Sequence, residues 1–324
     1  MIYLITGITG FAGPHLANVL LDEGHEVYGL LRNSNGMETD ILDIVDSEKF
    51  SKIKFIYSDL KNSRTLNKLF KDYKFDGVFH LAAQSHPPTS FIDPIGTFET
   101  NVMGSVNLIQ AIIDNQPECK LMFCSSVEVY GNEGSDQRSI KESNQILPAN
   151  PYGASKAAID IYLQERMKSK SINAFITRAF CHTGPRRGKT FSISSDAYQI
   201  ALMMKSKQEK ILKIGNLDTI RVVMDVRDIV TGYYLLMKHP ESSGEVYNIS
   251  GEIPLPIRYY VDKLKELSSL TDIKEVIHKP FWREIDIDYQ MGDDSKFRNL
   301  TGYKNNYTIE QTLKDLLNYW VKKV

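Results

Sequence analysis

Short apolar runs recur along the first half of the chain, and each gives way to a segment of mixed polarity long enough for a helix. The runs at 2–6, 26–32, 53–58, 77–82, 120–126 and 173–180 read as strands. They are mostly apolar rather than strictly alternating, the pattern of strands covered on both faces. Between them, 12–23, 63–73, 96–115 and 152–169 read as helices. Strands alternating with helices predict an α/β fold, a doubly wound parallel sheet of the Rossmann type. After about residue 180 the rhythm breaks into a Gly/Pro/Arg loop, a helix and short mixed elements. We therefore expect a dinucleotide-binding domain over 1–180, with 217–246 returning to it. A smaller mixed α/β substrate lobe would take 181–216 and 247–324.

A chain of 324 residues is long enough for both lobes. Its formal net charge of -1 argues against a nucleic-acid or membrane partner. The basic cluster "RRGK" at 186–189 is local and suits a phosphorylated small molecule better than a polymer. Cys119, Cys124 and Cys181 have no framework spacing, which predicts free thiols in a reducing, cytoplasmic compartment. "MIYLITG" reads as a strand, so no signal peptide is expected, and no metal site is expected either.

"ITGITGFAG" places Gly7, Gly10 and Gly13 between the first strand and a helix opening near Phe11. Glycines there let the backbone approach a pyrophosphate, and the helix N-terminus supplies N–H donors. A carboxylate at the end of the second strand would bond a ribose 2′-hydroxyl; this chain has Arg32 instead. A guanidinium fits a 2′-phosphate, so NADP is expected, with NAD as the alternative; a solvated arginine is the plain reading. Asp59 is placed either to reach the adenine or to cap a helix, and Leu60 and Leu81 complete the expected cofactor contacts. "NPYGASK" puts Tyr152 and Lys156 at i and i+4, on one helix face. The ammonium would pull the phenol below its usual value and make it a proton acceptor for an alcohol.

The glycine fingerprint, "FHLAAQSH" (79–86), "SSVEVYG" (125–131), "NPYGASK" (150–156) and "HTGPRRG" (182–188) together resemble the extended short-chain dehydrogenase/reductase family. "CHTGPRRGKTF" (181–191), "GNLDTIR" (215–221) and "REIDIDYQMGD" (283–293) are similar to its GDP-mannose 4,6-dehydratase branch. The resemblance covers nearly the whole chain and implies catalysis by Ser126, Glu128, Tyr152 and Lys156. Ser126 would hold the sugar oxygen that Tyr152 deprotonates, although a strand-end serine is also a common helix cap. Glu128, projecting beside Ser126 if the backbone stays extended, would be the general base at C5. Arg186, Arg221 and Arg283, with Lys189, would neutralise the diphosphate, and Asp286 would accept from the nucleotide ribose. Subunits in this family often pair through helices here at 96–115 and 152–169, so a homodimer or homotetramer is expected; Ala157, Ile159, Ile161 and Tyr162 on the second helix would supply the apolar surface or equally face the sheet.

Several positions depart from the branch pattern. Ser126 stands for the usual threonine, Val127 for a polar residue, Cys181 for asparagine, Val222 for aspartate and Glu284 for proline. Sister reductases of GDP-4-keto sugars share the "GNL…R…DVRD" segment. Three functions stand. The first is a GDP-sugar 4,6-dehydratase. The second is a C4 dehydrogenase or reductase of a GDP-hexose or GDP-heptose. The third is a non-catalytic dinucleotide-binding regulator, which would have no use for Ser126, Tyr152 and Lys156 together.

Overall fold

Six strands lie at the apolar runs in the computed structural model, which describes residues 1–33, 36–134, 136, 138–205, 210–281 and 287–324, with backbone alone at Met37. They are β1 (Ile2–Thr6), β2 (Glu26–Leu31), β3 (Lys54–Tyr57), β4 (Gly77–His80), β5 (Lys120–Cys124) and β6 (Ala174–Ala179). A seventh strand, Val246–Ile249, adds beside β6, and every neighbouring pair is parallel. The order across the sheet is Val246–Ile249, β6, β5, β4, β1, β2, β3.

The continuous apolar strands have a simple cause. One face buries Ile5, Phe79 and Met122 against Leu16 and Ile229 of the helices Ala12–Asp22 and Val226–Lys238. The other buries Leu4, Val78 and Phe123 against Leu66, Leu108 and Ile159 of the helices Ser63–Asp72, Gly104–Asn115 and Pro151–Lys168. A strand covered twice has no solvent side on which to place polar residues. The strand order reverses at β1, whose two neighbours are β2 and β4, and ligands of open parallel sheets bind outside the strand ends at such a point. Beyond the sheet, the helices Ser192–Lys205, Ile257–Ser268 and Ile309–Lys323 share a separate core with the strand Ile211–Ile214. No helix among the described residues is long and apolar enough to cross a membrane.

Two local expectations need correction. The segment expected as one helix over 96–115 starts earlier, at Pro94, with Asp93 accepting from the Gly96 N–H at 2.8 Å. It then passes through a π-helical turn, Glu99–Met103, which places Asn101 inward and buried. The stretch after β5 is not extended. Ser126 accepts from the Glu128 N–H at 3.2 Å and caps a 3-10 turn, Val127–Tyr130, whose Val127 and Val129 are buried. That local bond competes successfully with an extended backbone.

Candidate active site

A cleft of about 1280 Å³ opens between the strand ends and the second lobe. Its sheet-side wall begins with the glycine turn after β1. Gly7 has φ 75°, and a Cβ there would meet the Ala82 nitrogen at 2.8 Å. A Cβ at Gly13 would meet the Gly7 carbonyl oxygen at 2.5 Å, so the turn closes onto its helix only with glycine. Behind it runs a buried hydrogen-bond chain. Ala82 N–H donates to Thr6 Oγ1 at 3.2 Å, the Thr6 hydroxyl meets His80 Nδ1 at 2.7 Å, and His80 Nε2 meets Ser105 Oγ at 2.8 Å. Burial pushes His80 down to about 3, with Lys156 adding to the effect, so the imidazole is neutral. Thr183 Oγ1 is buried in the cleft wall with no hydrogen-bond partner among the described residues. A bare-backbone turn at a helix start, with an orphaned hydroxyl on the wall facing the cleft, fits a dinucleotide.

Phe11, at the start of the helix Ala12–Asp22, stacks on His182 with centroids 5.7 Å apart and planes at 11°. His182 bonds the Phe180 carbonyl through Nδ1 at 2.9 Å, and burial, then Arg187, holds it down at about 4. The Arg187 guanidinium lies 4.8 Å from the Phe11 ring and 3.5 Å from the Phe191 ring, bridging the two lobes. Burial lowers it to about 10.

Tyr152 and Lys156 lie on the same face of the helix Pro151–Lys168, as their spacing requires, and both line the cleft with Ser126. Proline at the first position and Asn150, whose side chain accepts from the Gly153 N–H at 2.8 Å, start this helix. The other Asn150 group donates to Glu128 Oε2 at 2.7 Å, which brings the Glu128 carboxylate to the same wall despite the 3-10 turn. The helix is anchored by Arg178 of β6, which donates to both Asp160 oxygens at 2.9 and 2.8 Å, both residues being buried. The expected downward pull of Lys156 on Tyr152 is corrected. Burial pushes the phenol above its usual range, and the hydrogen bond with Ser126 opposes this. Lys156 instead donates to the Cys124 carbonyl at 2.7 Å and sits 5.0 Å over the Phe123 ring, and its own value is lowered by burial.

Other expected residues fall as follows. Leu81 lines the cleft; Arg32 is exposed just past β2, and Leu60 is buried under the helix Gly104–Asn115. Asp59 accepts from the Lys61 N–H at 2.9 Å, while Asn62 caps the helix Ser63–Asp72, so the capping alternative for Asp59 is set aside. Lys189 lines the outer cleft with its ammonium 5.3 Å from the Tyr198 ring, and Arg221 lines it from Ile220–Val222. Arg283 and Asp286 lie outside the described residues. Arg186 is a correction. In a left-handed conformation (φ 74°), it donates to the carbonyls of Thr9 and Gly10 at 2.8 and 3.1 Å and meets Asp43 at 3.2 Å. Those bonds commit it to the glycine turn rather than to a diphosphate, and its neighbour Arg187 faces the cleft instead. The pair "RR" carried the signal, but not which member turns inward.

The model of the family described as GDP-mannose 4,6 dehydratase matches residues 4–316. The chain is 29% identical to the GDP-6-deoxy-D-mannose reductase of Pseudomonas aeruginosa, over 99% of this chain and 97% of that protein. It is also 29% identical to GDP-mannose 4,6 dehydratase 1 of Arabidopsis thaliana, over 98% and 89%. Among solved structures it is similar to RMD from Pseudomonas aeruginosa complexed with NADPH, with a TM-score of 0.84 and 27% identity over 100% and 99% of the two chains. The UDP-glucose 4-epimerase of Thermus thermophilus shares the fold alone, at a TM-score of 0.83 and 22% identity over 100% of each chain. With the family match running from β1 into the last helix, and the glycine turn, Ser126, Tyr152 and Lys156 on one cleft, the chain belongs to the GDP-mannose 4,6 dehydratase family.

Proposed function

We propose that the protein is an NADP-dependent 4,6-dehydratase of GDP-mannose or a manno-configured homologue. The observation that carries this reading is the Glu128 carboxylate held by Asn150 on the wall that bears Ser126 and Tyr152. Gly7, Gly10, Phe11 and Leu81 would hold the dinucleotide with Lys156, Asp59 and Leu60, and Arg32 would take the 2′-phosphate. NADP, when bound, accepts a hydride from the sugar and returns it. Ser126 and Tyr152 hold the 4-oxygen, and Tyr152 takes its proton as phenolate, a form that the positive charge of an oxidised nicotinamide in the cleft would favour against the burial that raises it. The carbonyl so formed at C4 acidifies the C5 proton. Glu128 removes that proton and hands it to the 6-hydroxyl, which leaves as water; C6 then takes the returned hydride and C5 regains a proton that originates in solvent. Arg187, Arg221 and Lys189 face the diphosphate. The NADPH bound by the Pseudomonas aeruginosa relative supports the cofactor choice, with NAD as the alternative. Three free thiols, two of them on the cleft wall, support a reducing compartment such as the cytoplasm.

A second reading is favoured by the reductase relative, matched at the same 29% as the dehydratase. In it Tyr152 gives a proton to a C4 carbonyl and Glu128 has no base role. Glu128→Gln separates the two. With GDP-mannose, the dehydratase reading expects this variant to accumulate reduced nicotinamide and release no water, while Tyr152→Phe forms no reduced nicotinamide and releases no water. Wild-type protein should place solvent deuterium at C5. Wild-type turnover without exchange at C5, read by mass spectrometry, ends the dehydratase reading and leaves the reductase.

A further inference from the structure

At the lobe end of the cleft, away from Tyr152 and the glycine turn, the helix Ser192–Lys205 faces the strand Ile211–Ile214. Gln199 fastens the two: its amide donates to the Lys213 carbonyl at 3.0 Å and accepts from the Lys213 N–H at 2.9 Å. The cleft wall here is apolar, with Ile193, Met203, Leu217 and Ile257 each between 6% and 8% exposed. Polar side chains also line it, Ser194, Gln199, Thr219 and Arg221 among them, and one is a carboxylate. Asp196 lines the cleft at 4% exposure and accepts no hydrogen bond from any described residue. Glu275, on the strand paired with Ile211–Ile214, is taken up by Arg258 and Lys265 at 2.7 and 2.9 Å, so those cations serve another carboxylate.

We propose that Asp196 reads the nucleobase of the substrate, its carboxylate accepting the adjacent N–H donors of guanine at N1 and the 2-amino group. This rests on the GDP-sugar reading above. An apolar slot suits a flat ring, and the few polar groups in such a slot set orientation and specificity. An ionised carboxyl only accepts. Guanine is the base that offers two neighbouring donors on one edge. Adenine sets one donor beside an acceptor, and uracil flanks its N3–H with two carbonyl oxygens that repel a carboxylate. Leaving a buried carboxylate unpaired is costly, so a group without an internal partner is matched to donors from a ligand. Burial, with Glu275 adding, pushes the carboxyl up to about 8, and two incoming N–H bonds favour its charged form.

The test is calorimetric titration of wild type and Asp196→Asn with GDP, inosine diphosphate, xanthosine diphosphate, ADP and UDP. Wild type should bind GDP roughly tenfold or more tighter than inosine diphosphate, which lacks the 2-amino donor. Asp196→Asn should lose roughly tenfold for GDP and gain for xanthosine diphosphate, because an amide donates to the 2-carbonyl while still accepting from N1–H. That gain cannot come from a damaged fold. Equal wild-type binding of GDP and inosine diphosphate overturns the assignment even if the variant does not fold. So does a variant that keeps the wild-type preference for GDP. Wild type that ranks GDP no higher than ADP or UDP overturns the GDP-sugar reading instead.

Discussion

Asp196 also gives folding a pH dependence of definite sign. Its carboxyl ionises near ~3.9 in the unfolded chain and is raised to about 8 in the fold by burial. The native state therefore binds this proton more tightly than the unfolded one. Its contribution to stability is fully present below ~4, is lost as pH rises towards about 8, and changes no further above that. Asp196→Asn cannot ionise, so the difference in melting temperature between about pH 5 and about pH 8 should shrink in the variant. An unchanged difference would mean that Asp196 ionises in the native state as it does in the unfolded chain. Nothing in the sequence marks Asp196, because a helix position between Ser195 and Ala197 reads as polar surface until the fold is seen to bury it. The adjacent arginines failed to resolve for a related reason. A left-handed backbone at Arg186 turns neighbouring side chains apart, and composition cannot foretell φ at a non-glycine residue. Tyr152 and Lys156 were legible because i, i+4 geometry is fixed by the helix itself, whereas the sense of the phenol's shift depends on burial that only the fold supplies.

Among elements, the strands were the most legible, since double coverage writes itself as unbroken apolar runs such as Leu4 and Ile5 or Leu121 and Met122. The 3-10 turn after β5 was not, because a single serine cap decides it. The helix Pro151–Lys168 shows both outcomes. Ala157 and Ile159 face the interior, while Ile161 is 56% exposed. Close in the fold, the helices Pro87–Ile92 and Pro94–Phe98 leave Ile92 at 86% and Ile95 at 74% exposure, too apolar for isolated surface. We propose that these helices pair subunits, so that the protein is at least a dimer. Ile95→Glu should then halve the mass seen by light scattering at micromolar concentration. Wild type that is already monomeric removes the idea.

Across the whole molecule the lobes are joined at Asp43, at the end of the turn Met37–Asp43, which accepts from Arg186 at 3.2 Å and from Tyr319 and Lys323 of the last helix at 3.1 and 2.6 Å. On the open side the Arg187 guanidinium lies against both Phe11 and Phe191, and the His86 ring also meets Phe191, with centroids 5.4 Å apart. Phe11 sits on the turn that would cradle the dinucleotide, and Phe191 stands at the edge of the helix that would carry the base. Whatever fixes the first ring fixes the guanidinium, and through it the second. Cofactor and sugar nucleotide should therefore bind cooperatively, the dinucleotide preparing the mouth for the sugar nucleotide. Linkage makes that preference reciprocal, and such coupling is typically about 5- to 150-fold in affinity. GDP-mannose should accordingly bind more tightly to protein saturated with NADP than to protein without it, and Arg187→Ala should abolish the difference. Equal affinity in the two wild-type titrations would leave the pair of rings as mere neighbours. Cooperation between the two ligands would thus be written into a single stacked cation, with no lid required to enforce it.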